Sequence, residues 1–134
     1  LHDMIVAGQV EPDGEPRSEA EKQIELVQRN LCLLARSFAD VGFVPVLDWV
    51  VRNERDLRVY VRNLSGLALR VAVLAPDAET VTRRKPRAAT RWAHLSGSLA
   101  RELRTIGLWV DSSDLTVDET VDYVLANKAL ARFP

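Results

Sequence analysis

Gly107-Leu-Trp-Val-Asp-Ser-Ser-Asp-Leu-Thr-Val-Asp-Glu-Thr-Val-Asp-Tyr-Val-Leu125 decides the fold class of this chain. Leu108 to Val110 reads as a short buried strand. Asp111, Ser112, Ser113 and Asp114 read as a polar turn. Thr116 and Glu119 then have capping-box spacing, so the Thr hydroxyl can accept from the third helical amide while the Glu reaches back to the cap amide. Val117, Val121, Val124 and Leu125 follow with one apolar helical face. A strand, a polar turn and a capped helix make the repeating unit of an α/β sheet, and such sheets bind ligands at the carboxyl ends of their strands. Asp111 to Ser113 fall at that end.

The same alternation runs back through the chain. Leu69-Arg-Val-Ala-Val-Leu74 predicts a second strand, with Pro76 and Asp77 opening the next helix. Phe43-Val-Pro-Val-Leu-Asp48 is apolar and too short for a helix, which predicts a buried parallel strand. Pro45 counts against its interior, because proline removes a ladder donor. Ser18 and Glu21 form a second capping box, opening a long helix to Val41 with Ile24, Val27, Leu31, Leu34, Ala35 and Phe38 at helical spacing. Gly42 ends it. Residues 54 to 64 predict a short helix with Leu57, Tyr60, Val61 and Leu64 inward. A further helix is expected from about Ala89 to Thr105, carrying Trp92, Leu95, Leu99 and Leu103. Glu11-Pro-Asp-Gly-Glu-Pro-Arg17 is a loop. The expected fold is α/β, a parallel sheet with helices on both faces.

At 134 residues, one domain spanning 1–134 is the prior expectation. The 47% hydrophobic and 28% charged residues are ordinary for a soluble globular chain, and the net charge of -1 gives no general attraction to nucleic acid. No apolar run reaches the ~18 residues of a membrane span and no signal peptide is present, so a cytoplasmic protein without a membrane partner is expected. The single cysteine, Cys32, excludes an internal disulfide and reads as a reduced core thiol.

Four stretches resemble one family, the small P-loop kinases, in the bacterial phosphotransferase-like branch related to chloramphenicol phosphotransferase and gluconate-type kinases. Leu1 to Val10 resembles the start of the acceptor-binding part. Asn30 to Val51 resembles a helix running into a strand whose terminal Asp acts near the metal. Val71-Ala-Val-Leu-Ala-Pro, with Glu79 and Arg83-Arg84, is similar to the fourth strand and the start of the lid. Gly107 to Thr116 with Glu119-Thr120-Val121 resembles the fifth strand and last helix, and is the most specific of the four. The family's G-x-x-x-x-G-K-[ST] phosphate loop is absent from these residues. The resemblance therefore implies the C-terminal part of a P-loop NTPase-like fold without its N-terminal strands, and roughly 40 to 50 further residues upstream, the size of two βα units. A rearranged or degenerate domain is the alternative.

The resemblance implies ATP and Mg²⁺ as cofactors and a small hydroxyl-bearing molecule as phosphoryl acceptor. Asp48, at a strand end, would hold the metal through water and serve catalysis; otherwise it is a loop or cap aspartate. Arg83, Arg84, Arg87 and Arg91 would form a basic lid. Arg83 and Arg87 would stabilise the transferring group, and Arg84 and Arg91 would contact the nucleotide; the plainer reading is a solvated helix face. Asp111, Ser112 and Ser113 would line the base, or simply make a turn. Trp49, His2 and Asp3 would meet the acceptor, between the segment 1–17 and the helix that follows it. His94 reads as a surface or half-buried histidine. No metal-ligand spacing suggests zinc, and no G-x-S-x-G elbow suggests a serine hydrolase.

The expected function is an ATP-dependent phosphotransferase. The alternative is a nucleotide-binding or interaction module of the same fold without catalysis. A receiver-like α/β domain is a third reading, weakly served by Asp48 and Asp111.

Overall fold

The structure is a computed structural model that describes residues 4–84, 101 and 103–133. Its described elements are α1 (Arg17–Asp40), α2 (Glu54–Asn63), β1 (Ala72–Leu74), α3 (Ala78–Arg84), β2 (Leu108–Val110) and α4 (Val117–Ala126). The chain is mixed helix and strand, with a small two-stranded parallel sheet. It divides into two compact units, Leu1–Val51 with Arg55–Gly66, and Arg52–Glu54 with Leu67–Pro134.

In the first unit, α1 starts one residue ahead of the expected box. Pro16 is the N-cap, with φ -70 and ψ 136, and no side chain caps the helix. The Ser18–Glu21 box is therefore not formed: Ser18 falls inside the first turn, because the extended proline sets the entry upstream of it. Glu15 instead accepts from the Arg17 amide at 2.8 Å. The helix ends as the sequence predicts. Gly42 has φ +91, its amide donates to the Ala39 carbonyl at 2.9 Å, and the Phe43 amide donates to the Phe38 carbonyl at 3.1 Å. The rings of Phe38 and Phe43 meet edge to face with centroids 6.2 Å apart. These are the paired bonds and hydrophobic contact of a Schellman stop.

The buried stripe of α1 is Ala20, Gln23, Ile24, Val27, Gln28, Cys32 and Ala35. Leu34 and Phe38, expected inside, are about half exposed. The α2 helix buries Asp56, Leu57, Val59 and Tyr60. It runs beside α1 in the same sense. Arg55 pairs with Glu21 at 3.5 Å, Arg62 with Glu25 at 3.9 Å, and Arg36 donates to the Asn63 and Ser65 carbonyls at 3.1 and 2.8 Å.

The strand expected at Phe43 to Asp48 is not formed. These residues are irregular, and Phe43, Val44 and Val46 are 65%, 86% and 90% exposed. An apolar run becomes a parallel strand only where neighbours satisfy its amides and cover its faces. No described strand lies alongside, and Pro45 brings no amide to a ladder.

In the second unit, β1 and β2 pair in parallel register, Ala72 with Leu108, Val73 with Trp109 and Leu74 with Val110. A parallel pair needs a crossover, and α3 lies within it. The residues just before β1 also bond on the other side. The Val71 amide donates to the Ala131 carbonyl at 2.7 Å and the Phe133 amide to the Leu69 carbonyl at 3.0 Å. Arg70 and Arg132 form an antiparallel bridge there. The sequence predicts the strand at Leu69 to Leu74 and carries no local signal for its pairing with 131–133.

Leu108, Val110 and Ala131 form the core of this unit, with Leu115 and Val124 packed on it. The α4 capping box is complete. The Thr116 amide donates to Glu119 at 2.8 Å and the Glu119 amide to the Thr116 hydroxyl at 3.2 Å. Of the apolar face expected on α4, Val124 packs inward, whereas Val117, Val121 and Leu125 stay exposed. The described sheet has only two strands, a surface narrower than the stripe. The helix expected over 89–105 lies largely outside the described residues. No described helix is long and apolar enough to cross a membrane.

Candidate functional site

The carboxyl ends of β1 and β2 lie side by side because Leu74 and Val110 are in register. The Ala75 amide extends the pairing by donating to the Val110 carbonyl at 2.8 Å. Ala75-Pro-Asp77 and Asp111-Ser-Ser113 therefore leave the sheet next to each other, where an open α/β sheet carries its ligand.

Ser113 joins the two exits. Its hydroxyl accepts from the Asp77 amide at 2.8 Å and donates to Asp111 Oδ1 at 2.5 Å. The Ser113 amide donates to the same carboxylate at 3.0 Å, closing an Asx turn. Asp77 in turn caps α3 by accepting from the Thr80 amide at 2.6 Å. Ser112, Ser113 and Thr80 are buried, whereas Asp77 and Asp111 are exposed.

Arg84, the last residue of α3, folds back over this loop. Its Nη2 donates to the carbonyls of Ser112 at 3.1 Å, Ser113 at 3.2 Å and Leu115 at 3.3 Å. Arg83 donates to the Thr80 hydroxyl at 3.2 Å. Four residues expected at the nucleotide, Arg84, Asp111, Ser112 and Ser113, are thus in one hydrogen-bonded cluster with Arg83 at its edge. Asp77 and Thr80 complete it. Asp77, expected only as a helix entry, belongs to the cluster, and its signal in the sequence is Pro76-Asp77 directly after a strand.

The electrostatics are balanced. Ser113, through its hydroxyl and then its amide, holds the Asp111 carboxyl below the usual range, against a smaller upward push from Asp77. The Thr80 amide does the same for Asp77, helped by the side chains of Thr80 and Ser113 and by the Arg83 charge. Two ionised carboxylates beside two guanidinium groups suit a neutral, hydrogen-bonding group such as a sugar hydroxyl or heterocycle better than a polyphosphate.

The remaining expected residues lie elsewhere. Asp48 is exposed in the irregular segment of the first unit, next to half-buried Trp49, and does not stand at a strand end. His2, Asp3, Arg87, Arg91, Trp92 and His94 lie outside the described residues. Trp109 is half-buried on β2, and its indole donates to the Leu103 and Ile106 carbonyls at 3.1 and 3.2 Å. No cluster of three or more His, Cys, Asp or Glu among the described residues is placed to hold a metal ion. These residues offer hydroxyl, carboxylate and guanidinium groups for hydrogen bonding and supply no metal cage of their own. No family model, curated protein or solved structure matches the chain.

Proposed function

We propose that this chain is part of an ATP-dependent phosphotransferase acting on a small hydroxyl acceptor, and that the ends of β1 and β2 meet the base and ribose of the nucleotide. The observation that carries the reading is the convergence of Arg84, Asp111, Ser112 and Ser113 at the ends of two parallel strands. Ionised Asp111 and Asp77 can accept from ribose hydroxyls or an exocyclic amine. Arg83, hydrogen-bonded to the Thr80 hydroxyl beside Asp77, has further donors for a transferring phosphoryl group. The phosphate loop is not among these 134 residues, and Mg²⁺ would be held chiefly by the phosphates and water.

Titrating the ¹⁵N-labelled protein with adenosine, ADP and ATP tests the nucleotide site. Saturable shifts confined to the amides of 75–80 and 111–115 are expected with all three. The reading is overturned if these amides are silent while others respond, or if none responds at millimolar nucleotide. Incubation with γ-labelled ATP and a panel of alcohols then separates catalysis from the alternative, a nucleotide-binding module without chemistry. Transfer to an alcohol supports the phosphotransferase, and nucleotide shifts without transfer support the module.

A further inference from the structure

The outer side of α4 carries two adjoining rows of side chains. Val117, Val121 and Leu125 repeat every four residues and form the first, and they are 80%, 50% and 60% exposed. Asp118 and Asp122 form the second, one position further round the helix and farther from the sheet. Val124, on the other side of the apolar row, is the residue of α4 that packs on Leu108, Val110 and Ala131. The apolar row therefore lies between the packed side of the helix and a line of carboxylates.

The charge beside that row is one-sided. Residues 105–127 hold five carboxylates, Asp111, Asp114, Asp118, Glu119 and Asp122, and no Lys, Arg or His. Glu119 is committed to the Thr116 cap and Asp111 to Ser113. Asp118 and Asp122 make no hydrogen bond or ion pair among the described residues. Like charges four residues apart weaken a helix. Asp118 is compensated by the helix N-terminus, whereas Asp122 lies beyond the first turn. Exposed apolar side chains in one row, flanked by charges of one sign, mark a surface that meets a partner.

We propose that the Val117–Val121–Leu125 row of α4 docks a basic amphipathic helix of another protein. The partner's apolar residues cover the row, and its Lys or Arg side chains pair with Asp118 and Asp122. The row spans eight residues, roughly 12 Å, which matches about two turns of a facing helix. Its four-residue repeat suits the ridges of a helix and not the two-residue alternation of a strand. Charge decides among the other occupants. A second copy meeting the same face brings no cation to the aspartates, and anionic lipid or nucleic acid is repelled by them. None of these residues belongs to the cluster at the strand ends, so the docking surface is tested apart from nucleotide binding.

The experiment titrates the ¹⁵N-labelled whole chain with an amphipathic helical peptide of leucine and lysine. Its leucine–glutamate counterpart and oligolysine serve as controls. Saturable shifts of the amides of 117–126 are expected with the leucine–lysine peptide and with neither control. Asp118→Asn together with Asp122→Asn should weaken that binding about tenfold, as should Val121→Ser together with Leu125→Ser. Both changes are at exposed positions, and circular dichroism reports whether the helix is kept. Should the serine variant unfold, Asp118→Lys with Asp122→Lys keeps the test: it should lose the lysine peptide and gain the glutamate one. The proposal is overturned if oligolysine binds equally, if the shifts fall outside α4, if the variants bind like the native chain, or if nothing saturates at millimolar peptide. A dimer in sedimentation that Leu125→Ser dissolves also overturns it, because the face then belongs to a second copy.

Discussion

Gly107 lies directly against Val71: a Cβ at position 107 would come within 2.9 Å of the Val71 Cβ and 3.0 Å of its carbonyl carbon. Its φ of +72 is also one that side chains rarely adopt. The next amide, that of Leu108, donates to the Val71 carbonyl at 2.9 Å and opens the parallel ladder. Backbone conformation and close approach thus demand glycine at the same position, where β2 joins β1. Gly107→Ala should cost roughly 2–4 kcal/mol, from left-handed strain and displacement of β1 together. Urea unfolding followed by Trp109 fluorescence checks this; a loss below about 0.5 kcal/mol would mean the strands do not approach this closely.

Ser113 is the only hydroxyl described as bridging the two strand exits, so Ser113→Ala should release both. The Asp77 amide loses its acceptor, a change of about 1 kcal/mol. The Asp111 carboxyl loses the bond that most depresses it and should titrate higher. Because folding lowers the pKa of Asp111 and Asp77, both favour the folded state at pH above the ordinary Asp value of about 3.9. That contribution fades as pH falls through their folded values. Thermal melts at pH 7 and pH 3 should therefore show a steeper acid loss in the native protein than in Ser113→Ala. Parallel curves would mean that the serine does not govern these carboxylates.

Local signals were legible unless a neighbour overrode them, as Pro16 overrode the Ser18–Glu21 box. The Thr116–Glu119 box and the Gly42 stop were read correctly because each is satisfied within a few residues of backbone. The strand exits were legible too, since Asp111 to Ser113 follow directly on an apolar run. Phe43 to Asp48 misled because its pattern describes a strand already flanked by others, and no local feature supplies the flanks. The buried face of α1 drifts along the helix: Gln28, Cys32 and Ala35 carry its second half, which leaves Leu34 and Phe38 about half exposed. Gln23 earns its place through bonds to Gly8 and Val10, far back in sequence.

That Gln23 contact makes its own prediction. The side chain accepts from the Val10 amide at 2.9 Å and donates to the Gly8 carbonyl at 2.7 Å, fastening the preceding loop to α1. Gln23→Leu keeps the volume and removes both bonds, leaving two backbone groups to find water. A loss of about 1–2 kcal/mol is expected. Proteolysis within residues 8–15 should also speed up well beyond cleavage elsewhere, a difference that peptide mapping reads directly.

Arg83 and Arg84 are adjacent in sequence and should separate in kinetics. One nitrogen of Arg84 serves three carbonyls of the loop at 112–115, so its role is to hold the rim of the proposed base site. Arg84→Ala should loosen that rim, raising the KM for ATP several-fold and lowering stability by about 1 kcal/mol, with kcat changed little. Arg84→Lys should recover only part of the loss, because the lysine stem is one bond shorter and its ammonium falls short of the carbonyls. Arg83 hydrogen-bonds the Thr80 hydroxyl beside the Asp77 carboxylate, and its other donors can turn toward developing charge. Arg83→Ala should lower kcat about 10–100-fold with little change in KM or melting temperature, the signature of an interaction made only in the transition state. Steady-state kinetics on both variants, in the protein that supplies the phosphate loop, checks the split. If Arg84→Ala instead lowers kcat while the 111–115 amides keep their shifts, Arg84 has left the loop to meet the phosphates, and the rim is held by Ser113 and Asp111.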